Sequence, residues 1–398
     1  REQGLEGKVV VLEARASMDR PVLRAATAEE IADREQEEAL LPKVGPVADL
    51  TVTELRDLSA MRAVRGYSPE GVPFGDGAIY GAKAANLGEV LSLARELPMP
   101  AIKPLLLGDM RLLSSQLGTD PAWPQKLAMV TARERARLML RDRLRVPAGF
   151  GIPVAAYRAF LDDPANAAIA AKIEGMKTDP RFQNEAAYRK AYLAEVRRMV
   201  VAGRFPPAFE EPLRAKLDAP PYARVGVFVR SSTNAEDLPD FNGAGLYDTV
   251  PNVLGADRVV AAVKQVWASV WNFKAYEERE FHRIEQHQVY PGVLVMVGVD
   301  ADGAGVLITR NPFEAQDRNR IYVNARRGLG IGVVDGQHVP EQVLLDTYSL
   351  DLKRLSQASG GTIIVFDPDG GVHEVPAPGG VVVDEVAVRQ LGYLSRIL

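Results

Sequence analysis

Three stretches of this 398-residue sequence set charged and hydroxyl side chains beside glycine-containing turns. The longest reads Val227-Phe-Val-Arg230-Ser-Ser-Thr-Asn-Ala-Glu-Asp-Leu-Pro-Asp-Phe-Asn-Gly243-Ala-Gly245-Leu-Tyr-Asp-Thr249. A buried apolar strand there delivers a guanidinium at its end, followed by hydroxyls and a polar loop with two glycines. Arginine offers a fork of donors that matches phosphate oxygens and stays charged at any working pH. Gly243 and Gly245 let backbone amides come close to an anion, because no side chain stands in the way. The alternative is a surface turn in which Arg230 pairs with Glu236 or Asp237. The second stretch, Tyr80-Gly81-Ala-Lys83-Ala-Ala-Asn86-Leu-Gly88-Glu89, opens a helix with small residues and puts a lysine in its first turn. Free amides and the macrodipole make helix starts favourable to anions, so Lys83 gains most with a phosphate between. The stretch lacks the Gly-Lys-Ser/Thr ending of a Walker A loop, and an exposed surface lysine is its alternative. The third candidate pairs Gly305-Val-Leu-Ile-Thr309-Arg310-Asn311-Pro312 with Val323-Asn324-Ala-Arg-Arg-Gly328-Leu-Gly330. Both are strand-then-turn units with polar residues, Arg310 among them, at the strand end where ligands collect in α/β folds; two ordinary polar turns would read the same way.

The elements that must hold these residues are legible in outline. Lys83 to Arg95 predicts a helix with Leu87, Val90, Leu91 and Leu93 on its buried face. Val225, Val227 and Val229 alternate as in a strand that stops at Arg230. Residues 183 to 203 predict a further helix, and residues 256 to 280, with Val259, Val260, Val263, Val266, Trp267, Val270 and Trp271, predict an amphipathic one. Strand-like segments follow at Val293 to Val299, Gly305 to Thr309, Ile321 to Asn324 and Ile363 to Phe366. Valines 9 to 11 suggest a short strand, the acidic run from Glu29 to Glu38 a solvated helix, and Pro42 to Pro46 a linker. Helix-rich followed by strand-rich sequence predicts a mixed α/β (α+β) protein of at least two subdomains.

Composition removes several classes. With 48 Lys+Arg against 52 Asp+Glu and a net charge of −4, the chain lacks the basic excess of a nucleic-acid binder. Arg133, Arg137, Arg141 and Arg145 recur every fourth residue, but Glu134 and Asp142 intersperse, which favours a solvated helix face over a binding strip. There is no cysteine, which rules out disulfides, thiolate metal sites and thiol nucleophiles. The four histidines, His282, His287, His338 and His373, show no metal-ligand spacing, and no G-x-S-x-G elbow occurs. No apolar run approaches the roughly 18 residues of a spanning helix, and no signal peptide opens the chain, so a cytoplasmic protein without a membrane partner is expected. The sequence starts at Arg1 rather than Met and stops at Leu398 inside a predicted helix, Glu385 to Ile397, which suggests an internal fragment of a longer polypeptide.

The ordered set GAKAANLGE, VPAGFGIP, VFVRSSTNAEDLPDFNGAGLYDTVPNV, GVLITRNP and NARRGLG resembles the nucleotide-binding domain of the dikinase family, across roughly residues 78 to 395. That family includes phosphoenolpyruvate synthase, pyruvate phosphate dikinase, glucan water dikinase and rifampicin phosphotransferase. The resemblance implies an ATP-grasp fold, with ATP lying between two α/β subdomains and Mg2+ as cofactor. It implies that Lys83 contacts the ATP phosphates, that Arg230 binds phosphate, and that Gly245 and Thr249 line the phosphate loop. Met296 or Leu294 stands where a hinge glutamine often lies near the adenine. Family members split ATP to AMP and pass the phosphoryl group first to a histidine on a separate swivelling domain.

Departures from the family pattern are as informative. The family's magnesium ligands come from an Ile-Glu-Trp…Gln-x-Arg-Pro stretch that this sequence does not contain, and none of its histidines sits in the carrier Thr-x-His context. An extra segment, about Met99 to Arg145, has no counterpart of known role. Residues 5 to 30 faintly resemble the closing strands of a phosphohistidine domain. The expected organisation is therefore residues 1–50 as the tail of a preceding β-rich domain plus linker, 75–297 as the first ATP-grasp subdomain and 298–398 as an incomplete second. The leading function is an ATP-binding phosphotransfer module working with carrier and acceptor-binding domains of the same polypeptide. A nucleotide-binding regulatory module without catalysis and a scaffold that binds an acidic partner through the arginine stripe are the alternatives. The chain alone is expected to bind ATP weakly and to transfer nothing.

Overall fold

The computed structural model describes residues 10–13, 22–33, 43–67, 73–95, 145–238, 241–243, 245–314, 316–317, 319–334, 338–346 and 351–395. Arg133, Arg137 and Arg141 of the arginine stripe, and residues 99–144 of the extra segment, lie outside the described residues, as do parts of the N-terminal stretches read above.

Near the N-terminus, β1 (Val10–Glu13) and β2 (Val22–Ala25) form a hairpin. Next come β3 (Arg56–Asp57), the short pair β4 (Gly66–Tyr67) and β5 (Pro73–Phe74), and β6 (Gly149–Ile152). β7 (Val227–Thr233) is followed by the short pair β8 (Asp237–Leu238) and β9 (Phe241–Asn242), then β10 (Thr249–Val253) and β11 (Pro291–Val297). One antiparallel sheet orders these strands β10-β7-β11-β6-β3, which puts β7 and β11 at its interior. The β-branched and aromatic residues of Val227-Phe-Val and Val293-Leu-Val suit that largely buried, pleated position.

Helices cover the sheet. Ala256–Ala268 lays Val259, Val260, Val263, Val266 and Trp267 into the core, where Trp267 meets Tyr157, Phe160, Phe205 and Phe209. The single helix expected over residues 256 to 280 is in fact broken: a 3-10 turn Ser269–Trp271 and the extended Asn272 separate it from Phe273–Phe281. Asn272 leaves helical geometry, and its side-chain amide donates to the Leu246 carbonyl and to Asp248 Oδ1. The helix expected over 183 to 203 is likewise divided at Glu185, into Pro180–Asn184 and Ala186–Ala202.

A second sheet is an antiparallel meander of β12 (Gly303–Ile308), β13 (Arg320–Arg327), β14 (Glu341–Asp346) and β15 (Leu352–Ser356). Its core is Ile321, Val323, Val343 and Leu345, closed by Val388 of the helix Glu385–Ser395. The hairpin β16 (Gly361–Phe366) and β17 (Val372–Ala377) ties the two units together. At its turn, Asn252 of β10 donates to the carbonyls of Asp367 and Gly371, and Arg258 donates to that of Asp369. Phe366 packs its ring against Phe228 of β7 with centroids 5.7 Å apart. The molecule is thus a mixed α/β fold of two sheet-based subdomains. Among the described residues no helix is long and apolar enough to cross a membrane.

Candidate functional site

Arg230 is not at a strand end. β7 continues through Ser231 and Ser232 to Thr233, so Arg230 sits mid-strand, opposite Thr249 on one side and Leu294 on the other. Apolar alternation stops at Arg230 because the strand's last three residues are buried by hydrogen bonding instead. Side chains two apart share a sheet face. Arg230 therefore faces the same way as Phe228, whose ring meets Phe366 of the second unit, and as Ser232. Met296 lies opposite Phe228 in register, so Met296, Leu294, Arg230 and Thr249 belong to one face.

The helix carrying Lys83 docks on that strand. Ala82–Arg95 begins after Gly81, whose φ of +78° lies in the left-handed region open to glycine. A Cβ at Gly81 would collide with the Ser232 carbonyl, so the backbones approach as closely as they do only because residue 81 has no side chain. The Ser232 hydroxyl accepts the Ala84 amide at 3.0 Å, satisfying one free donor of the helix start. Residues 83 and 231, far apart in sequence, are held together by this junction.

Lys83 Nζ donates to Glu236 Oε1 at 2.5 Å and lies 3.4 Å from Ser231 Oγ. Ser231 Oγ in turn donates to Glu236 Oε1 at 2.9 Å, and the Thr233 amide donates to Oε2 at 3.3 Å. Burial pushes the Glu236 carboxyl up, while the Lys83 ammonium, the Ser231 hydroxyl and the Thr233 amide oppose that push. Gly243 is part of the same packing: its amide donates to the Glu236 carbonyl at 2.8 Å, and a Cβ would sit 3.2 Å from Glu236 Cα. Gly245 is exposed with φ +76°, and Thr249, also exposed, opens β10 beside Arg230.

Arg230 itself makes no hydrogen bond or ion pair among the described residues, and its buried Nε has no partner. Burial pushes its guanidinium down, against the favourable field of Glu236. The pairing of Arg230 with Glu236 that the sequence left open is not what forms, because Lys83 takes that carboxylate. The side chain of Asp237 lies outside the described residues. Arg310 is exposed just past the end of β12, and among the described residues no hydrogen bond or ion pair joins it to this cluster. The structure links Lys83 to Gly243 through Glu236 and pairs Thr249 with Arg230, and the sequence reading misses Glu236 as the partner of Lys83. The signal for Glu236 is present in the Ala-Glu-Asp run, but its partner is 153 residues away.

A basic pair beside a glycine loop, with one guanidinium unpartnered, is suited to polyphosphate oxygens. Residues 129–395, more than half of the chain, match the family described as pyruvate phosphate dikinase, AMP/ATP-binding domain. The chain belongs to that family. Among curated relatives, phosphoenolpyruvate synthase of Pyrococcus furiosus is 36% identical over 147 residues, which cover 37% of this chain and 18% of that protein. Phosphoenolpyruvate synthase of Deinococcus radiodurans is 32% identical over 244 residues, covering 58% and 30% respectively. The probable phosphoenolpyruvate synthase of Staphylothermus marinus is 30% identical over 239 residues, covering 58% and 28%. The chain thus spans less than a third of the length of these relatives.

In this AMP/ATP-binding domain the cluster does not fit a bound metal by itself. Among the described residues no three His, Asp or Glu side chains converge as ligands. Glu236, the carboxylate within the cluster, is already occupied by Lys83, Ser231 and Thr233.

Proposed function

We propose that this chain is the ATP-binding phosphotransfer module of a phosphoenolpyruvate synthase- or pyruvate phosphate dikinase-like enzyme. The observation that supports it best is the anchoring of Lys83 on Glu236 and on Ser231, the residue that follows Arg230 in β7, with the Gly243 amide bonded to the Glu236 carbonyl. In this reading the two subdomains, about residues 75–297 and 298–398, form an ATP-grasp with the nucleotide between them. Met296 lies toward the base, Gly245 and Thr249 line the phosphates, and Arg310 reaches the cleft from the second subdomain.

The transfer goes to a histidine of a carrier domain, and an acceptor-binding domain of the same cytoplasmic polypeptide completes the cycle. The imidazole nitrogen attacks the β-phosphorus as the α–β phosphoanhydride bond breaks and AMP leaves, and hydrolysis of the resulting pyrophosphoryl group releases phosphate and leaves one phosphoryl group on the histidine. Lys83 and Arg230 meet the charge that gathers on the phosphate oxygens, which is the main demand of phosphoryl transfer. Magnesium, which the resemblance implies, finds no ligand set in this cluster and enters no step of the proposal.

Calorimetric titration of the chain with ATP and AMP tests the binding half. Saturable binding is expected, weakened in Lys83→Met, and no binding up to millimolar ATP would overturn it. Radiolabelled ATP, offered to a polypeptide that joins this chain to a carrier histidine, should leave acid-labile label on that histidine. Label elsewhere, or none, would leave a nucleotide-binding module without transfer.

A further inference from the structure

Glu236 contributes nothing that a phosphate would contact, yet its carboxylate is among the best-anchored polar groups of the cleft. It is 3% exposed and takes hydrogen bonds from an ammonium, a hydroxyl and a backbone amide. We propose that Glu236 is a positioning residue for nucleotide binding: it fixes the Lys83 ammonium against the end of β7 before a triphosphate arrives. This rests on the reading of the cluster as an ATP site.

Three features of the geometry support the assignment. Lysine is a point charge on a flexible four-carbon stem, and left in water it would spread over many rotamers. Here the stem is tied at its tip to a buried group while its side chain keeps 32% of its exposure, so the ammonium is both ordered and accessible. An ammonium has three donors. One goes to Glu236 and one points toward Ser231, which leaves the third for a phosphate oxygen without breaking the anchor.

The second feature is charge. Glu236 bonds the Lys83 ammonium and its charge also favours the Arg230 guanidinium, which has no hydrogen-bonded counter-ion among the described residues. One carboxylate thus offsets two positive charges in the absence of an anion. The third feature is the backing by Gly243, whose amide holds the Glu236 carbonyl and whose missing side chain leaves room for the Glu236 backbone. The glycine loop and the lysine anchor are one packed unit.

A thermodynamic cycle on ATP affinity separates positioning from mere structure. Wild type, E236Q, K83M and the double variant are titrated with ATP. E236Q should bind roughly tenfold more weakly than wild type, and in the K83M background the same change should matter less than about twofold, since coupled residues are non-additive. An equal loss in both backgrounds would make Glu236 only structural. Unchanged or tighter binding in E236Q would make it a competitor for the ammonium. Either result overturns the proposal, whereas failure of the wild-type chain to bind ATP removes the ATP-site reading and this proposal with it. Should E236Q melt below the assay temperature, 15N-lysine spectra of the wild-type chain decide. The Lys83 ammonium, identified by its loss in K83M, should give a slowly exchanging signal before ATP is added and move on addition. Absence of that signal would show that no anchored ammonium exists.

Discussion

Two arginines of the first subdomain with buried nitrogens are treated in opposite ways. Arg279 is fully buried, and each of its three nitrogens has an acceptor: Gln286 Oε1 at 2.8 Å, the Tyr247 hydroxyl at 3.2 Å and the Val270 carbonyl at 2.7 Å. Arg230 stands mid-strand with a buried Nε that meets nothing. Arg197 also leaves its Nε unpartnered, but its Nη2 lies 3.6 Å from Asp248. A buried donor without an acceptor lowers stability, so a site that retains one stores binding capacity at the expense of the fold. Arg279 is a staple that closes its own surroundings. Arg230 is a donor set that the described residues leave unsatisfied, which on the proposed reading awaits a phosphate.

The difference predicts opposite outcomes for the same substitution. Arg279→Met should give the largest effect in the molecule. It leaves a carbonyl, a hydroxyl and an amide oxygen buried without donors, for a loss of about 3 kcal/mol or more and a Tm lowered by about 4 °C or more. ATP affinity of the folded fraction should hold. Thermal melts and titrations on the same sample check both halves.

Arg230→Met should do the reverse, leaving Tm unchanged or slightly raised and weakening ATP by roughly tenfold or more, the usual worth of a charge-assisted hydrogen bond. Arg230→Lys should be nearly as damaging to binding, because a point charge does not reproduce the guanidinium fork. If Arg230→Met melts as early as Arg279→Met, the comparison breaks and Arg230 is another staple. Full affinity in the Lys variant would show that charge alone is what the cleft requires.

How much of this the sequence disclosed follows the same line. Strong periodicity disclosed the elements that bury apolar faces: the helix Ala256–Ala268 and the start of β7 were legible from Val259, Val263, Val266 and from Val227 and Val229. Ser231, Ser232 and Thr233 were not, because their burial rests on hydrogen bonds to the helix start and to Glu236, partners that periodicity does not register. β15 went unread for another reason. Leu352-Lys-Arg-Leu-Ser is made of good helix formers, and it is extended because β14 pairs with it. At the site, Arg230 and Lys83 were visible as charges next to glycine, but which of them would own Glu236 depends on Gly81 bringing the helix onto β7.

The smallest effect is expected where a charged group is both fully hydrogen-bonded and exposed, and it extends the comparison to the surface. Thr27 and Glu30 form a capping box at the start of a helical segment over residues 28–33: the Thr27 amide donates to Glu30 Oε2 at 2.8 Å, and the Glu30 amide to Thr27 Oγ1 at 3.2 Å. Arg24 from β2 adds a forked pair to both Glu30 oxygens at 2.6 and 2.8 Å. The Arg24 bond first, and the Thr27 amide second, hold the Glu30 carboxyl down to about 2. A depressed carboxyl contributes its stabilisation above the unfolded value and loses it as pH falls toward the folded one. Amide protection of residues 28–33 should therefore be constant above about pH 4.5 and decline from there toward pH 2. Global Tm at neutral pH should be unaffected by Glu30→Gln, because solvent and salt screen an exposed pair. The same variant should show the low-pH pattern of amide exchange already at neutral pH. Undiminished protection in Glu30→Gln would mean that the turn is held by backbone geometry, and that satisfied charge matters in this fold only where water is excluded.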